Sequence, residues 1–298
     1  MFWIFPALAS HFFWALVNIG DKYIVGNRVK NPYVYLMWLN MIGIVTLLLI
    51  PFVDFYVPEP RFLLWIALAG ALWFFGGLPY IRAVQIEEVT RINIWWNLIP
   101  VFALLIEFFV VGKRFAAFEL LAFAILVSGA FLASLHAGKR TIVLSKAFPL
   151  MIVSTAAFAA YAVIFSDVLQ SAPFVVAFIW VHSMAFVSSF SLLAFRSVRR
   201  DFWTELRALT AGMRVAVFVQ ALLDSTGVFF SQWALSLASA ALVFSLEGSQ
   251  VIFVFTMASL ISVFAPKFLK EELDFRNVML KFAAIALMVI GVGLLALG

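Results

Sequence analysis

Residues 80–85 read Tyr80-Ile81-Arg82-Ala83-Val84-Gln85 and lead, after a short polar stretch, into an apolar segment from Ile92 to Glu107. The same pattern returns 150 residues later as Phe230-Ser231-Gln232-Trp233-Ala234-Leu235, which leads through small residues (236–241) into the apolar segment 242–258. Each copy forms the third and fourth apolar segments of a set of five. Because five is odd, the second set is expected to lie inverted relative to the first, an arrangement typical of membrane carriers.

The composition is that of a membrane protein. Of the 298 residues, 65% are hydrophobic and 12% are charged, and the mean hydropathy is +1.10. Soluble domains average about 45–50% apolar and about 25% charged residues. The net charge of +5 does not indicate nucleic acid, because the basic residues lie between apolar runs, where they orient a membrane protein. The absence of cysteine excludes disulfides, thiol chemistry and cysteine-bound metals.

Ten runs are long enough to span a bilayer, which takes roughly 20 apolar residues. They are 2–21, 33–53, 62–82, 92–112, 116–135, 147–167, 173–194, 212–232, 239–264 and 278–297. No basic stretch precedes the first run, so we expect a membrane helix there and not a cleaved signal. The longest connection is the arginine-rich loop 195–211. The sequence thus predicts an all-α membrane protein of ten transmembrane helices in two inverted five-helix repeats, residues 1–140 and 141–298.

The distribution of basic residues predicts the orientation. Of the 20 lysines and arginines, 17 lie in the odd-numbered connections, and the even-numbered connections hold only Arg61, Lys113 and Arg114. Positively charged loops stay in the cytoplasm. We therefore expect the odd-numbered connections in the cytoplasm and both termini outside.

Short motifs are spread over the whole chain. They are Phe12-Phe13-Trp14-Ala15 with Asp21-Lys22-Tyr23, Arg82-Ala83-Val84, Pro100-Val101-Phe102, Gly112-Lys113-Arg114-Phe115, Ser128-Gly129-Ala130, Ala234-Leu235, Ser239-Ala240-Ala241-Leu242, Phe244-Ser245-Leu246-Glu247 and Gly291-Val292-Gly293. In these motifs the chain resembles the EamA-type ten-helix members of the drug/metabolite transporter superfamily. The resemblance implies that the first four helices of each half surround a central cavity, and that the fifth and tenth brace the outside.

The chain departs from that family in three respects. Lys113 stands where the family usually has an acidic residue, and Val251 stands where it usually has a proline. Familiar members also tend to have cytoplasmic termini, which the charge distribution here opposes.

Polar and aromatic residues at helical spacing are the candidates for lining such a cavity, because polar groups at membrane depth usually face one. In the first helix His11, Trp14 and Asn18 share a face. Helix–helix packing is the alternative for this stripe. In the eighth helix Gln220 and Asp224 share a stripe, and in the ninth Glu247 and Gln250 do so.

The third, fourth and sixth helices supply further candidates. Asn93 and Trp96 share a stripe of the fourth helix with Pro100, and Pro79 precedes Tyr80 in the third; we expect both prolines to act as kinks or gates. Tyr161 in the sixth helix completes the predicted aromatic walls, together with Trp14, Trp96 and Tyr80.

Other charged residues have simpler interpretations. We expect Glu87, Glu88 and Arg91 to be solvated loop charges, Lys281 to extend its amine to the membrane surface, and Asp21 to cap a helix end or to pair at a gate.

Catalytic motifs are absent, including those of metalloproteases, serine hydrolases and nucleotide-binding loops. We therefore predict a secondary transporter, not an enzyme, with no metal, cofactor or nucleic acid partner. It would move a small cationic or zwitterionic, amino-acid-like solute by alternating access. Export is the expected direction, and protons are the candidate coupling ion.

Two rival functions stay open. A carrier of a phosphate-bearing, nucleotide-sugar-like solute would place Arg82 or Arg91 in the cavity. A membrane sensor or scaffold would have a dry interior with no cavity. The expected location is a bacterial inner membrane, as a monomer or a homo-oligomer.

Overall fold

The computed structural model describes residues 2–106, 108–109, 116–137, 142–238, 243, 246–271 and 274–296. The first half contains α1 (Ile4–Asn27), α2 (Pro32–Asn40) with the 3₁₀ helix Met41–Phe52, α3 (Pro60–Ile86), α4 (Val89–Trp96), α5 (Ile99–Ile106) and α6 (Ala117–Ala133). A short antiparallel hairpin of β1 (Leu135–Ala137) and β2 (Ile142–Leu144) follows. The second half contains α7 (Phe148–Ser171), α8 (Phe174–Ser189) with the 3₁₀ turn Phe190–Ala194, α9 (Arg196–Ala208), α10 (Ala211–Leu237), α11 (Glu247–Phe264) and α12 (Phe275–Ala296).

Seven helical stretches of the described chain are long and apolar enough to cross a membrane. They are Pro32–Phe52, Pro60–Ile86, Val89–Ile106, Phe148–Ser171, Phe174–Ala194, Ala211–Leu237 and Phe275–Leu294. Ala117–Ala133 and Gly248–Phe264 are shorter apolar helices. Large apolar side chains such as Leu64 and Phe264 are exposed on the outer surface, as expected for a surface in contact with lipid. The protein is thus a multi-pass membrane protein.

Local sequence signals explain several helix boundaries. Asn31 caps α2 by accepting a hydrogen bond from the Tyr33 amide at 3.2 Å, and Pro32 occupies the first turn, where no N–H is needed. The predicted helix 92–112 is broken at 97–98. Pro100 explains the break, because proline lacks an N–H and its ring clashes with the carbonyl four residues earlier. Pro79, in contrast, lies inside the continuous helix α3.

The arginine-rich segment predicted as a loop is the helix α9. Val198 and Phe202, four residues apart, are buried on one face, and Arg196, Arg199 and Arg200 are exposed. An amphipathic helix of this kind lies along a membrane surface. Hydropathy counting missed it because only long apolar runs were counted.

Asn31 also attaches α9 to the start of α2. Its backbone N–H donates to Glu205 Oε1 at 3.0 Å and its side-chain amide donates to Asp201 Oδ2 at 3.0 Å. The bond from the Asn31 side chain, together with Arg200, holds the pKa of Asp201 below its ordinary value.

The helices of the two halves pack against each other. The most extensive contacts join α3 to α7, α1 to α10 and α6 to α12. Smaller contacts join α1 to α11, α5 to α7, α4 to α11, α3 to α8, α2 to α10, and the 3₁₀ helix Met41–Phe52 to α8. The core therefore lies between the two halves.

Candidate functional site

A cavity lies at the centre of this helix assembly. It has about 120 Å³ of space that water can reach. It is lined by Trp14, Val17, Asn18, Asp21, Leu36, Leu39, Asn40, Trp73, Gly77, Tyr80, Trp96, Ile99, Phe158, Asp224 and Gln250. Helices from both halves contribute, so the site lies at the interface between them.

Asp21 is a buried polar residue of the cavity wall with hydrogen-bond partners on three other helices. Its side chain is 1% exposed. Oδ1 accepts hydrogen bonds from the Tyr35 hydroxyl at 2.7 Å and from the Gln220 amide at 3.0 Å, and Oδ2 lies 2.8 Å from the Tyr80 hydroxyl. The Tyr80 hydroxyl also lies 2.7 Å from Asn18 Oδ1. The predicted role of Asp21 as a helix-end cap or gate pair is therefore wrong: α1 continues to Asn27 and places Asp21 in the cavity wall.

Asp224 brings a second carboxyl to the cavity from α10, where it interacts with the side chain of Trp14. The indole of Trp14 packs against α10 at Gly227. A Cβ added at Gly227 would lie 2.9 Å from Trp14 Cδ1, closer than Cβ contacts occur in proteins, so this close approach requires glycine. Trp14 thus forms a wall beside Asp224.

Aromatic rings form much of the remaining wall. Trp96 lies 5.1 Å from the ring of Tyr80 and 5.1 Å from Phe158, and Trp73 lies 5.0 Å from Phe158. The two contacts of Phe158 are edge-to-face, which is favourable at these distances, and Trp96 is tilted against Tyr80. Trp96 faces the cavity as predicted, whereas its neighbour Trp95 is buried and donates to the Ala130 carbonyl at 3.1 Å.

A chain of hydrogen bonds connects the cavity to three helices. His11 Nδ1 lies 3.2 Å from Gln250 Oε1, and Gln250 Nε2 donates to Asn93 Oδ1 at 2.8 Å. The Asn93 amide donates in turn to the Val89 carbonyl at 2.9 Å. Because the Gln250 nitrogen donates to Asn93, the Gln250 oxygen faces His11 and must accept a hydrogen bond from it. His11 therefore carries its proton on Nδ1. This chain ties α1 to α11 and α4.

The structure brings most of the predicted site residues together. Six of them line the cavity: Trp14, Asn18, Tyr80, Trp96, Asp224 and Gln250. Gln220 bonds to the cavity residue Asp21, and His11 and Asn93 bond to Gln250. Tyr161 lies behind the wall, 5.1 Å from the ring of Trp73, and bonds to Gln232. Glu247 begins α11, but its side chain lies outside the described residues.

Sequence reasoning missed Asp21 and Asn40 as cavity residues. Asp21 follows Asn18 on the stripe that contains Trp14, so a longer first helix would have included it. Asn40 was detectable as the one amide inside an otherwise apolar run.

A buried cluster of charged residues lies outside the cavity. Lys281 Nζ lies 2.7 Å from Glu271 Oε2 and 3.1 Å from Glu88 Oε2, and Arg91 Nε lies 2.9 Å from the same Glu88 oxygen. Arg91 and Lys281 are both 0% exposed. We call Glu87, Glu88, Arg91, Glu271 and Lys281 the ionic cluster. The predictions of solvated loop charges and of a surface-seeking Lys281 are wrong, because these groups pair with one another across the halves.

The ionic cluster joins several connections. Arg91 donates to the Ala133 carbonyl at 2.8 Å and to Asn277 Oδ1 at 3.0 Å, and Ser145 bonds to Glu87. Lys22 of α1 donates to the Glu87 carbonyl at 2.6 Å. Residues after the first, third, fifth and ninth predicted segments therefore meet at one end of the molecule.

Burial also raises the pKa of one member of the ionic cluster, Glu271. Removal from water, and then the neighbouring Glu88 carboxylate, raise the pKa of Glu271, which lies in the connection between α11 and α12. Lys281 opposes this shift but does not outweigh it.

The second and sixth connections contact each other. Trp180 Nε1 donates to the Tyr56 carbonyl at 3.0 Å, and Trp180 stacks on Phe55 at 5.5 Å. The Tyr56 hydroxyl reaches the Ser171 carbonyl at 3.5 Å. These two even-numbered connections therefore lie together.

Neither of the arginines required by the phosphate-carrier alternative lines the cavity. Arg91 belongs to the ionic cluster, and Arg82 is exposed and bonds to Gln85.

Comparisons with known proteins agree with this architecture. One solved structure, described only as a crystal structure of a protein, aligns with 97% of this chain and 93% of its own, with a TM-score of 0.58 and 17% identity. At this identity the likeness concerns the fold alone. Curated proteins gave no significant match by sequence. Residues 1–135 match the model of the EamA-like transporter family. The predicted resemblance is therefore confirmed: residues 1–135 are similar to the EamA-like transporters of the drug/metabolite transporter superfamily.

Proposed function

We propose that the protein is an alternating-access carrier built from ten membrane helices in two inverted repeats, 1–140 and 141–298. The contact pattern supports this. If the halves are equivalent, each predicted segment has a counterpart five segments away, and two helices in contact should have counterparts that are also in contact. The pair α3–α7 has the counterpart α10–α1, and both pairs are in contact. The pair α1–α11 has the counterpart α7–α5, and these pairs are also in contact. The pair α6–α12 maps onto itself. Such exchange symmetry is expected of two structurally equivalent halves.

Equivalent positions of the internal repeat support the same proposal. Gly76 and Gly227 are 151 residues apart. An added Cβ would lie 3.0 Å from Ala157 Cβ at Gly76 and 2.9 Å from Trp14 Cδ1 at Gly227. Both glycines therefore allow a helix of the other half to approach closely. Trp73 and Asp224, separated by the same interval, both line the cavity.

The solute we infer is small and bears an amino group, as a cation or a zwitterion. The observation that carries this is the lining of the cavity, which combines the carboxyls of Asp21 and Asp224 with the rings of Trp14 and Trp96. A desolvated ammonium gains from both, since a cation over an aromatic face contributes about 0.5–2 kcal/mol. Glu247, at the start of α11, stays a candidate for the same charge role.

Two further observations bear on the rival functions. A central cavity with polar groups is unexpected for a scaffold with a dry interior. A phosphate-bearing solute is expected to need a basic side chain, and the described residues that line the cavity include no lysine, arginine or histidine.

We further propose export from a bacterial cytoplasm in exchange for protons, with both termini outside. The support for this orientation is that 17 of the 20 basic residues lie in odd-numbered connections. In this proposal the ionic cluster is the gate at the cytoplasmic end.

A thermal-shift screen of the purified protein tests the solute class. A ligand at one hundred times its dissociation constant stabilises the folded protein by about 2.7 kcal/mol. We expect amino acids and amines to raise the melting temperature, and matched carboxylic acids without an amino group to leave it unchanged. A rise with sugar phosphates alone would favour the phosphate-carrier alternative.

A further inference from the structure

The hydroxyl of Tyr80 is shared between two oxygen atoms of α1. It lies 2.7 Å from Asn18 Oδ1 and 2.8 Å from Asp21 Oδ2. Both distances are those of O–H···O hydrogen bonds. Each bond needs its own proton, and a phenolic hydroxyl supplies only one.

The proton of Tyr80 is directed to Asn18, because the orientation of the Asn18 amide is fixed. Its Nδ2 donates to the Trp14 carbonyl at 2.6 Å. Reversing the amide would bring two acceptor oxygens to that distance. Asn18 Oδ1 therefore faces Tyr80, and as an acceptor it must receive the Tyr80 proton.

The second proton must then come from Asp21. The other oxygen, Oδ1, already accepts from Tyr35 and from Gln220. The Gln220 amide is fixed as a donor, because the same nitrogen also bonds to the Val17 carbonyl. The remaining proton is therefore on Asp21 Oδ2, which donates a hydrogen bond to the oxygen of Tyr80.

We propose that Asp21 is the proton carrier of the transport cycle, which deepens the proposed function by naming the residue that couples proton exchange to solute binding. When the Oδ2–H bond breaks, the electron pair stays on the carboxylate and the proton passes to water in the cavity. Tyr80 then turns its proton from Asn18 to the carboxylate. Asn18 Oδ1 is released toward the cavity, where it can accept a hydrogen bond from an ammonium group.

Several charged or titratable groups surround this network. Tyr35 and Tyr80 face Asp21 from α2 and α3, and Asp224 faces it from α10. Lys22, the next residue of α1, is held by the carbonyls of Val84 and Glu87. Two ionised carboxylates in one cavity repel each other. A bound cation removes this repulsion, so its arrival favours loss of the Asp21 proton.

Infrared difference spectroscopy between acidic and alkaline pH tests this without a known solute. The probe is the carbonyl stretch of a protonated carboxyl in protein reconstituted into lipid, assigned to aspartate by ¹³C-carboxyl labelling. We expect the wild type to lose this band as pH rises, Asp21→Asn to lack it, and Asp224→Asn to retain it. Asp21→Asn keeps an N–H that can donate to Tyr80, so folding should be preserved.

Tyr80→Phe provides a second measurement that does not need the Asp21 variant to fold. Removing the bonding partner of Oδ2 should shift the frequency of the aspartate band. Three results would overturn the proposal. The band persists in Asp21→Asn, the wild type shows no such band at any pH, or the band keeps its frequency in Tyr80→Phe.

A transport measurement separates this inference from the proposed function. In proteoliposomes with labelled lysine, the ratio of rates with and without a pH gradient should be well above one for the wild type and about one for Asp21→Asn. An unchanged ratio contradicts the role of Asp21. Lack of transport by the wild type contradicts the proposed function, and the infrared result still decides the protonation of Asp21.

Discussion

Tyr80 connects the two polar residues of α1 to the aromatic wall. Its hydroxyl bonds to Asn18 and Asp21, and its ring lies 5.1 Å from Trp96. One side chain therefore holds both the charge and one wall of the cavity in place.

Tyr80→Phe should impair solute binding as well as stability. Leaving the buried polar groups of Asn18 and Asp21 without this hydroxyl costs about 1–3 kcal/mol, so we expect the affinity for the transported solute to fall about tenfold or more. Titration of the purified variant with the solute measures this. Tyr161→Phe is the matched control, because Tyr161 bonds to Gln232 behind the wall and does not line the cavity. Equal losses of affinity in both variants would contradict a specific role for Tyr80.

The ionic cluster predicts a pH dependence of stability. The pKa of Glu271 is raised in the folded protein, so the folded state binds this proton more tightly than the unfolded state does. The resulting stability is present below the ordinary pKa of glutamate and is lost as pH rises through the raised value. We expect the melting temperature of the wild type to fall over this range, and that of Glu271→Gln to fall less.

The exposed Glu59 provides the control for this experiment. Glu59→Gln should keep the pH dependence of the wild type. If Glu271→Gln keeps it too, the pH dependence does not come from Glu271.

The sequence predicted part of the site at this scale. The stripe of Trp14 and Asn18 was recognisable from helical spacing. Asp21 was assigned to a helix end because hydropathy drops at Asp21 and Lys22, but both polar groups are satisfied inside the protein, and the helix continues. The ionic cluster could not be predicted, because Lys281 and Glu88 meet across 193 residues of chain.

At the scale of helices, close packing depends on small residues. At Gly70 of α3 an added Cβ would lie 2.6 Å from Met184 Cβ and 2.7 Å from the Ala185 backbone nitrogen of α8. Membrane helices associate through such close approaches, because lipid provides no hydrophobic drive between them.

Gly70→Ala should therefore destabilise the protein, by about 1–3 kcal/mol for an overpacked contact. Denaturant titration in detergent micelles measures the loss. Gly212→Ala is the control, because a Cβ there meets nothing within 4 Å. Alanine at that helical position should be neutral or should stabilise by up to about 1 kcal/mol. Equal stability of the two variants would show that α3 and α8 do not pack as described.

Helix positions followed from the sequence better than helix boundaries did. The run 147–167 corresponds to α7 and the run 116–135 to α6. The observed helices α1, α3 and α10 extend beyond the predicted runs, because their backbone hydrogen bonds continue past the residues at which hydropathy falls.

At the scale of the whole molecule, the two halves share one cavity but contribute different chemistry. The first half supplies Trp14, Asn18, Asp21 and Tyr80, and the second supplies Asp224 and Gln250. Gly76 and Gly227, at equivalent positions of the proposed repeat, both lie against a helix of the other half. The identity of the solute was beyond prediction, because the repeat constrains packing and leaves the lining free to vary.

Counterflow in proteoliposomes tests most directly whether the central cavity carries amino-bearing solutes. Vesicles loaded with an unlabelled mixture of amino acids and amines should take up the labelled compounds faster than protein-free vesicles. Asp224→Asn should reduce this uptake about tenfold or more, because a charge-assisted hydrogen bond contributes about 1.5–3 kcal/mol, and exposed Asp54→Asn should leave it unchanged. Uptake equal to that of protein-free vesicles, or uptake that Asp224→Asn does not alter, would contradict transport through this cavity.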